Sequence, residues 1–345
     1  MLKDLRVSCS PHISETLSTR SIMLDVIIGL APAVAAAAYY FRIHALVLIC
    51  TCIISSVATE WLCNLLRKKP NSLGDLSAVV TGIILALSLP PALPIWAAVI
   101  GSAFAIAIGK MVFGGLGANI FNPAMAGRAF LTVCFGMMMT TWTTPATINS
   151  EKLQITADNK LKASAKDTTV EAITQATPLA WSKQAIKTRE NARIVTSQLR
   201  AMFIGEIGGC LGETSSLALL IGGFYLLIRR VISLHIPLAV LFSACLFAAI
   251  AYLSNPDAYI PPLAHLSAGG LLLCAFFIAT DPVTAPLTTK GMWIFGIGVG
   301  AVTMLIRIVG EYPEGVMYAV LLMNAATPLI DRFCKLSPVG GRPNA

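Results

Sequence analysis

Long apolar runs separated by short polar breaks dominate the chain. The runs at residues 22–40 and 234–253 each approach the roughly 20 residues that a helix needs to cross a bilayer. One polar interruption is long, at about residues 142–200, and it is rich in Thr, Ser, Lys and Ala. The pattern therefore predicts two groups of membrane helices joined by an extramembrane segment.

About ten spans follow from this pattern, and some of them are broken. The run at 76–89 is short and ends at Pro90-Pro91, while a Gly-rich stretch at 109–117 leads into Asn119-Ile-Phe-Asn122-Pro123. Irregular backbone at membrane depth is tolerated only where protein or a cavity surrounds it. We expect Asn122 to cap a helix that has Pro123 in its first turn.

The second half of the chain repeats the order of sequence elements found in the first half. Gly212-Glu213-Thr-Ser-Ser216 opens an apolar run as Gly74-Asp75-Leu-Ser77 does, and residues 279–286 correspond to 119–128. We infer an internal duplication, with one repeat at 1–141, a polar segment at 142–200 and a second repeat at 201–345. The predicted fold is an all-α polytopic membrane protein with two five-helix repeats.

Composition agrees with a membrane protein. The chain is 56% hydrophobic and 12% charged, against roughly 25% charged residues in ordinary globular proteins. Its net charge of +8 is concentrated at the ends of apolar runs and in the central segment, and no basic patch interleaved with aromatic residues indicates nucleic-acid binding. The basic residues beside the spans favour cytoplasmic N- and C-termini. Alternation of the spans then places the central segment outside, although it is itself basic, because the positive-inside rule is weak for loops near 60 residues.

Three carboxylates stand at the edges of apolar runs: Asp75, Glu213 and Asp281. Intramembrane ionisable groups are candidates for an ion path, but a carboxylate beside Gly, Ser or Pro also caps helices. Capping is the favoured interpretation of Asp75 and Glu213, and the two interpretations are balanced for Asp281.

The sequence offers no self-contained catalytic centre. The cysteines and histidines are dispersed, so no metal site is predicted, and no nucleotide-binding loop or catalytic triad is present. Redox chemistry in this chain therefore requires an added cofactor.

The string Thr174-Gln-Ala176-Thr177-Pro178-Leu179 in the polar segment resembles the flavinylation motif of the RnfD/NqrB family of membrane redox subunits. The Ser-Pro-His opening at 10–12, Asn-Ile-Phe-Asn-Pro at 119–123 and Ala-Thr-Asp-Pro-Val-Thr at 279–284 resemble the same family. The resemblance therefore covers nearly the whole chain.

The resemblance implies that Thr177 carries FMN through a phosphoester bond. The motif residues Thr174, Ala176, Pro178 and Leu179 surround it, and Glu171 stands where the family usually has Asp. Arg128 and Arg307 could complement the flavin phosphate or ring, although snorkelling to the membrane interface is favoured for both. The family also allows a second, non-covalent riboflavin, which nothing in this sequence locates.

The function implied is that of a membrane subunit of an ion-translocating ferredoxin:NAD oxidoreductase, the Rnf complex, which couples electron flow to Na+ or H+ transport in a bacterial or archaeal cytoplasmic (inner) membrane. The subunit would carry electrons and would not be catalytic alone. The implied partners are the Rnf A, B, C, E and G subunits, membrane lipid and a flavin transferase. The longer N-terminal region that is usual in the Nqr quinone-reductase subunit is absent here, which favours Rnf over Nqr.

Two further alternatives remain open. Broken helices and duplication also suit a cofactor-free channel or transporter. A scaffold subunit that has lost its flavin would keep the same fold, and Glu171 in place of Asp makes that alternative worth testing. Covalent flavin distinguishes the electron carrier from both.

Overall fold

The computed structural model describes residues 18–68, 72–142, 177, 179–180, 182–183, 199–256, 258–310, 312 and 314–335. Within these residues all regular structure is helical. Four helices in this part of the chain are long and apolar enough to cross a membrane. They are α1 (Thr19–Phe41), α2 (Ile43–Leu66), α9 (His235–Ser254) and α12 (Thr289–Ile308). The prediction of an all-α polytopic membrane protein is confirmed.

The other described helices are shorter or interrupted. They are α3 (Ser77–Leu87), α4 (Ile95–Ile106), α5 (Pro123–Cys134), α6 (Gly136–Met139), α7 (Leu199–Ile204), α8 (Ser216–Ile228), α10 (Pro262–Ser267), α11 (Leu271–Leu273) and α13 (Val316–Phe333). α4 continues as a π-helix over Ala107–Met111, and α11 continues as a π-helix over Cys274–Ile278. The expected broken helices are therefore present.

Local sequence explains where these helices start and stop. α3 ends before Pro90-Pro91, since proline cannot donate the backbone hydrogen bond that continues a helix. The side chain of Asn122 accepts from the backbone N–H of Met125 at 3.2 Å, and Pro123 occupies the first position of α5. The predicted cap at Asn122 is confirmed.

The bundle has two ends, which can be followed along α1. Near the start of α1, Asp25 accepts from Arg229 at 3.3 Å, at the end of α8. Near the end of α1, Tyr40 donates to the carbonyl of Ile204 at 3.0 Å, in α7. We call these the Arg229 end and the Thr177 end, because Thr177 lies in a cavity with residues of the loop that follows α7.

The outer helix surfaces expose large apolar side chains, including Ile54 of α2, Phe242 of α9 and Leu305 of α12. Exposed apolar surface of this extent suits lipid rather than water. The start of α5 meets the second π-helical segment inside the bundle, where the Asn122 amide lies 3.5 Å from the carbonyl of Ile278. The proposed repeat boundaries at 141 and 200 stay predictions.

Candidate functional site

Thr177 lies in a cavity at the Thr177 end of the bundle. The residue is 7% exposed, and its hydroxyl oxygen accepts from the backbone N–H of Ala180 at 3.1 Å. The cavity is small, with about 30 Å³ of free space, which is room for about two water molecules. Its walls include Trp142, Leu179, Met202, Glu213, Thr214, Gly269 and Glu314.

The segment around Thr177 is held against the membrane helices by both polar and apolar contacts. The ammonium group of Lys183 donates to the carbonyl of Ile306 at 3.1 Å and also to the carbonyl of Gly310. Leu179 is buried in a small apolar cluster with Met202 and Ile260. Lys183 therefore caps the C-terminal end of α12, where the Ile306 carbonyl also accepts from the backbone N–H of Gly310 at 3.0 Å.

The first ion pair behind this cavity joins α5 to the loop before α8. Arg128 of α5 lies 3.4 Å from a carboxylate oxygen of Glu213 and 3.5 Å from the sulfur of Cys210. The backbone N–H of Cys210 also lies 3.4 Å from the Glu213 carboxylate. The loop is fixed to the end of α3, because Gly212 N–H donates to the carbonyl of Leu87 at 2.7 Å.

The second ion pair joins α12 to the loop that precedes α13. Arg307 lies 3.1 Å from the carboxylate of Glu314 and donates to the carbonyls of His265 at 2.7 Å and Ala268 at 3.0 Å. The backbone N–H of Gly270 lies 3.2 Å and 3.3 Å from the two Glu314 oxygens. Arg307 therefore holds the break between α10 and α11 in place.

The two pairs meet around Gly269 and Gly270. A Cβ atom at Gly269 would lie 2.7 Å from Glu314 and 2.8 Å from Arg307, and one at Gly270 would lie 3.3 Å from Glu213. Gly269 also has a φ of +71°, a conformation that glycine adopts without steric cost. The absence of a side chain at these two positions lets both ion pairs approach each other.

Burial and nearby charges shift the pKa values of the two glutamates in opposite directions. Burial, together with the nearby Glu314 charge, raises the pKa of Glu213 to about 8. Burial acts to raise the pKa of Glu314 as well, but the guanidiniums of Arg307 and Arg128 bring it below its usual value. Both glutamates lie in loops between helices, and their carboxyl groups converge on Gly270, where a Cβ atom would lie 3.3 Å from Glu213 and 3.8 Å from Glu314.

The favoured interpretations of Arg128, Arg307 and Glu213 are wrong. The two arginines do not snorkel, because they are only 4% and 2% exposed and their charges are paired inside the bundle. Glu213 does not cap α8, because Ser215 does so by accepting from Ala218 N–H at 3.3 Å. Hydropathy pattern alone could not show that a loop folds inward and brings a carboxylate to a buried guanidinium.

The other acidic candidates lie toward the Arg229 end. Asp75 accepts from the backbone N–H of Ser77, the first residue of α3, at 2.8 Å, so it satisfies a free donor at that helix start although Leu76 occupies the N-cap position. Asp281 lies 3.3 Å from the N–H of Val283 and 3.2 Å from the hydroxyl of Thr284, and it lines a cavity between the two halves with about 70 Å³ of free space. A role in an ion path stays a prediction for both residues, as it does for Glu213.

Three charged residues of buried networks had escaped the sequence reasoning. Lys110 lies 2.8 Å and 2.9 Å from the two oxygens of Glu60 and donates to Ser77 at 2.6 Å. Lys110 is 2% exposed and Glu60 is fully buried. Glu314 is the third such residue. A glutamate inside the apolar sequence of α2 was the available signal, since a charge within a span needs a partner.

The motif residues Glu171, Thr174, Ala176 and Pro178 lie outside the described residues. Among the residues that the structure does describe, no group of three or more His, Cys, Asp or Glu side chains could hold a metal ion. The candidate site is therefore the hydroxyl of Thr177 together with the four charged side chains behind its cavity.

Comparison with known proteins gives matches along almost the entire chain. The NQR2, RnfD, RnfE family matches residues 6–340. The D subunit of the Na(+)-translocating ferredoxin:NAD(+) oxidoreductase complex of Acetobacterium woodii is 45% identical over 96% of this chain and 94% of its own length. The D subunit of the proton-translocating ferredoxin:NAD(+) oxidoreductase complex of Clostridium ljungdahlii is 42% identical, over 97% of this chain and 96% of its own. The D subunit of an ion-translocating oxidoreductase complex from Stutzerimonas stutzeri is also 42% identical, over 92% and 91%.

Proposed function

Because the chain belongs to the NQR2, RnfD, RnfE family, we propose that it is the D subunit of an ion-translocating ferredoxin:NAD oxidoreductase complex and carries electrons on FMN bound to Thr177. The observation that carries the proposal is the position of the Thr177 hydroxyl, inside a cavity with Glu213 and Glu314 and backed by two buried arginines. The partners are the Rnf A, B, C, E and G subunits and a flavin transferase.

The residues around Thr177 fit a phosphoester-linked group. The Thr177 side chain is oriented by the N–H of Ala180, and Lys183 ties the same segment to the end of α12. The free space of about 30 Å³ is too small for a three-ring system. The cavity therefore suits the linkage and not the ring.

Charge in this region also suits an anionic linkage. Arg128 and Arg307 are offset by Glu213 and Glu314, so the four side chains have no net charge when both carboxyls are ionised and one positive charge when they share a proton. A positive charge in a buried region stabilises a nearby phosphoester more than it would in water. The flavin supplies electron-transfer chemistry that side chains lack.

The identity of the transported ion does not follow from overall sequence similarity. The sodium-named and proton-named relatives are 45% and 42% identical to this chain, so overall identity does not separate the two cations. We propose that the complex moves Na+ or H+ across the cytoplasmic membrane, with the Thr177 segment on the outer face. A non-covalent riboflavin stays a prediction with no assigned residues.

The test is ultraviolet fluorescence of the denatured protein in a gel, after co-expression with a flavin transferase. The wild-type band should fluoresce, and Thr177→Ala should lose the fluorescence because it removes the oxygen that forms the bond. Thr214→Ala is the matched control, since Thr214 is a buried threonine of the same cavity, and it should remain fluorescent.

A dark wild-type band, with the transferase active on another acceptor protein, would contradict the proposal. Solute flux through the reconstituted chain would then test the channel alternative. Mass spectrometry of the peptide that contains Thr177 separates a dark band caused by low expression from one caused by missing flavin.

A further inference from the structure

We propose that Glu213 and Glu314 form a proton-sharing pair, which takes up one proton from water when the group carried on Thr177 gains an electron. This inference rests on the proposed covalent flavin and assigns a second role to the same site. It concerns two carboxyls that an electron carrier does not need for attaching its flavin.

The geometry of the two carboxyls is the first argument. Both line the cavity that contains Thr177, and a Cβ atom at Gly270 would lie 3.3 Å from a Glu213 oxygen and 3.8 Å from a Glu314 oxygen. Two carboxylates that converge in a buried place repel each other, so one of them holds a proton more tightly than an isolated glutamate does. One hydrogen bond then joins the carboxylic acid to the carboxylate.

The surrounding charges allow either protonation state. The groups that face the pair are Arg128 of α5, Cys210 of the loop before α8, Cys274 at the start of the second π-helical segment and Arg307 of α12. Arg128 and Arg307 supply two positive charges, so the cluster changes from neutral to singly positive when the pair gains its proton. The Nε atoms of both arginines have no hydrogen-bond partner among the described residues. Neither guanidinium is therefore saturated by the two carboxylates.

Water can reach the pair from the cavity. The side chain of Glu314 is 12% exposed and that of Glu213 is 5% exposed, whereas the side chain of Arg307 is fully buried. A proton can therefore arrive at Glu314 without crossing the apolar interior. Lys183 fixes the adjacent segment on the carbonyls of Ile306 and Gly310, which keeps Thr177 close to the pair.

The coupling between electron and proton is electrostatic. A unit negative charge at about 10 Å, with an effective dielectric constant of about 20, increases the proton affinity of a group roughly tenfold. The electron comes from the redox partner that supplies the complex, and the proton comes from water. One O–H bond forms at a glutamate, and the negative charge added at Thr177 is balanced by the positive charge added to the pair.

The experiment is redox-induced infrared difference spectroscopy on the full chain, flavinylated by co-expression with the transferase and held in lipid nanodiscs. Reduction of the wild type at a pH near 8 should produce a gain in the protonated-carboxyl C=O band, shifted in D2O. Glu213→Gln and Glu314→Gln should each lose that gain, because either change removes one member of the pair. Glu206→Gln is the matched control, since Glu206 is exposed in the same loop, and it should keep the gain.

A second measurement is the midpoint potential of the flavin as a function of pH. The wild type should show an additional pH dependence, up to a tenfold change in the reduction equilibrium per pH unit, that disappears in both glutamine variants. Identical curves in the wild type and both variants, with equal flavin content and no difference in the carboxyl band, would overturn the proposal. Failure of the proposed function is a separate result, since the wild-type chain would then carry no covalent flavin at all.

Discussion

Two buried cations, Lys110 and Arg307, lie toward opposite ends of the bundle, and each has a glutamate partner. Arg229 forms a comparable pair with Asp25, but its side chain is 54% exposed. A buried charge loses most of its hydration, so it depends on its partner far more than an exposed charge does. The burial of the cation therefore determines how much each pair contributes to stability, and its position in the sequence does not.

We expect Lys110→Met to destabilise the protein by about 3–5 kcal/mol, because it leaves the fully buried Glu60 carboxylate unpaired. The double variant Lys110→Met, Glu60→Gln should recover part of that loss, since no unpaired charge remains. Thermal unfolding of the detergent-solubilised chain measures both effects.

Arg229→Met is the control for this prediction and should change the melting temperature much less, because its guanidinium is largely solvated and the Asp25 carboxylate still accepts from the hydroxyl of Tyr225 at 2.9 Å. Equal losses in Lys110→Met and Arg229→Met would show that burial does not govern these pairs.

At the scale of helices, small residues decide how closely α1 and α8 approach. The Cβ that an alanine would add at Gly222 overlaps the backbone carbonyl of Gly29, and it also lies 3.0 Å from Phe277. A backbone atom cannot turn aside as a flexible side chain can. The glycine at 222 is therefore a requirement of the α1–α8 contact.

Gly222→Ala should destabilise the bundle by about 1–3 kcal/mol, since overpacking forces the two helix backbones apart. Gly74→Ala provides the comparison, because a Cβ at Gly74 has no atom within 4 Å. Thermal unfolding in the same detergent should show a loss for Gly222→Ala and almost none for Gly74→Ala. The reverse order would refute the close α1–α8 contact.

At the scale of the whole molecule, the two ends of the bundle should face opposite sides of the membrane. The basic residues Arg229, Arg230 and Lys290 flank α8 and α12, and basic residues beside spans favour the cytoplasmic side. The Thr177 end should then face outward, which agrees with the sequence expectation for the central segment.

Single cysteines test this orientation in a chain whose nine native cysteines have been replaced. A membrane-impermeant maleimide applied to intact spheroplasts should label Glu206→Cys and should label Lys290→Cys only after the membrane is opened. Both positions are exposed, so accessibility within the protein is matched. Labelling of Lys290→Cys alone in intact spheroplasts would show that the protein has the opposite orientation in the membrane.

The sequence by itself determined the class of the protein, the approximate helix positions and local features such as the Asn122 cap. Apolar periods and caps depend on neighbours in the chain, so they can be seen without coordinates. The family resemblance added Thr177, which pattern alone would have treated as an ordinary loop residue.

Only the tertiary structure decided which charges meet. Arg128 and Glu213 are 85 residues apart, and Lys110 and Glu60 are 50 residues apart. Their pairing depends on how broken helices and inward loops pack. Arg128 and Glu213 were therefore assigned to the interface and to a helix cap, although burial requires each to have an opposite charge. Long-range packing created the cluster behind Thr177, and no local pattern in the chain encodes it.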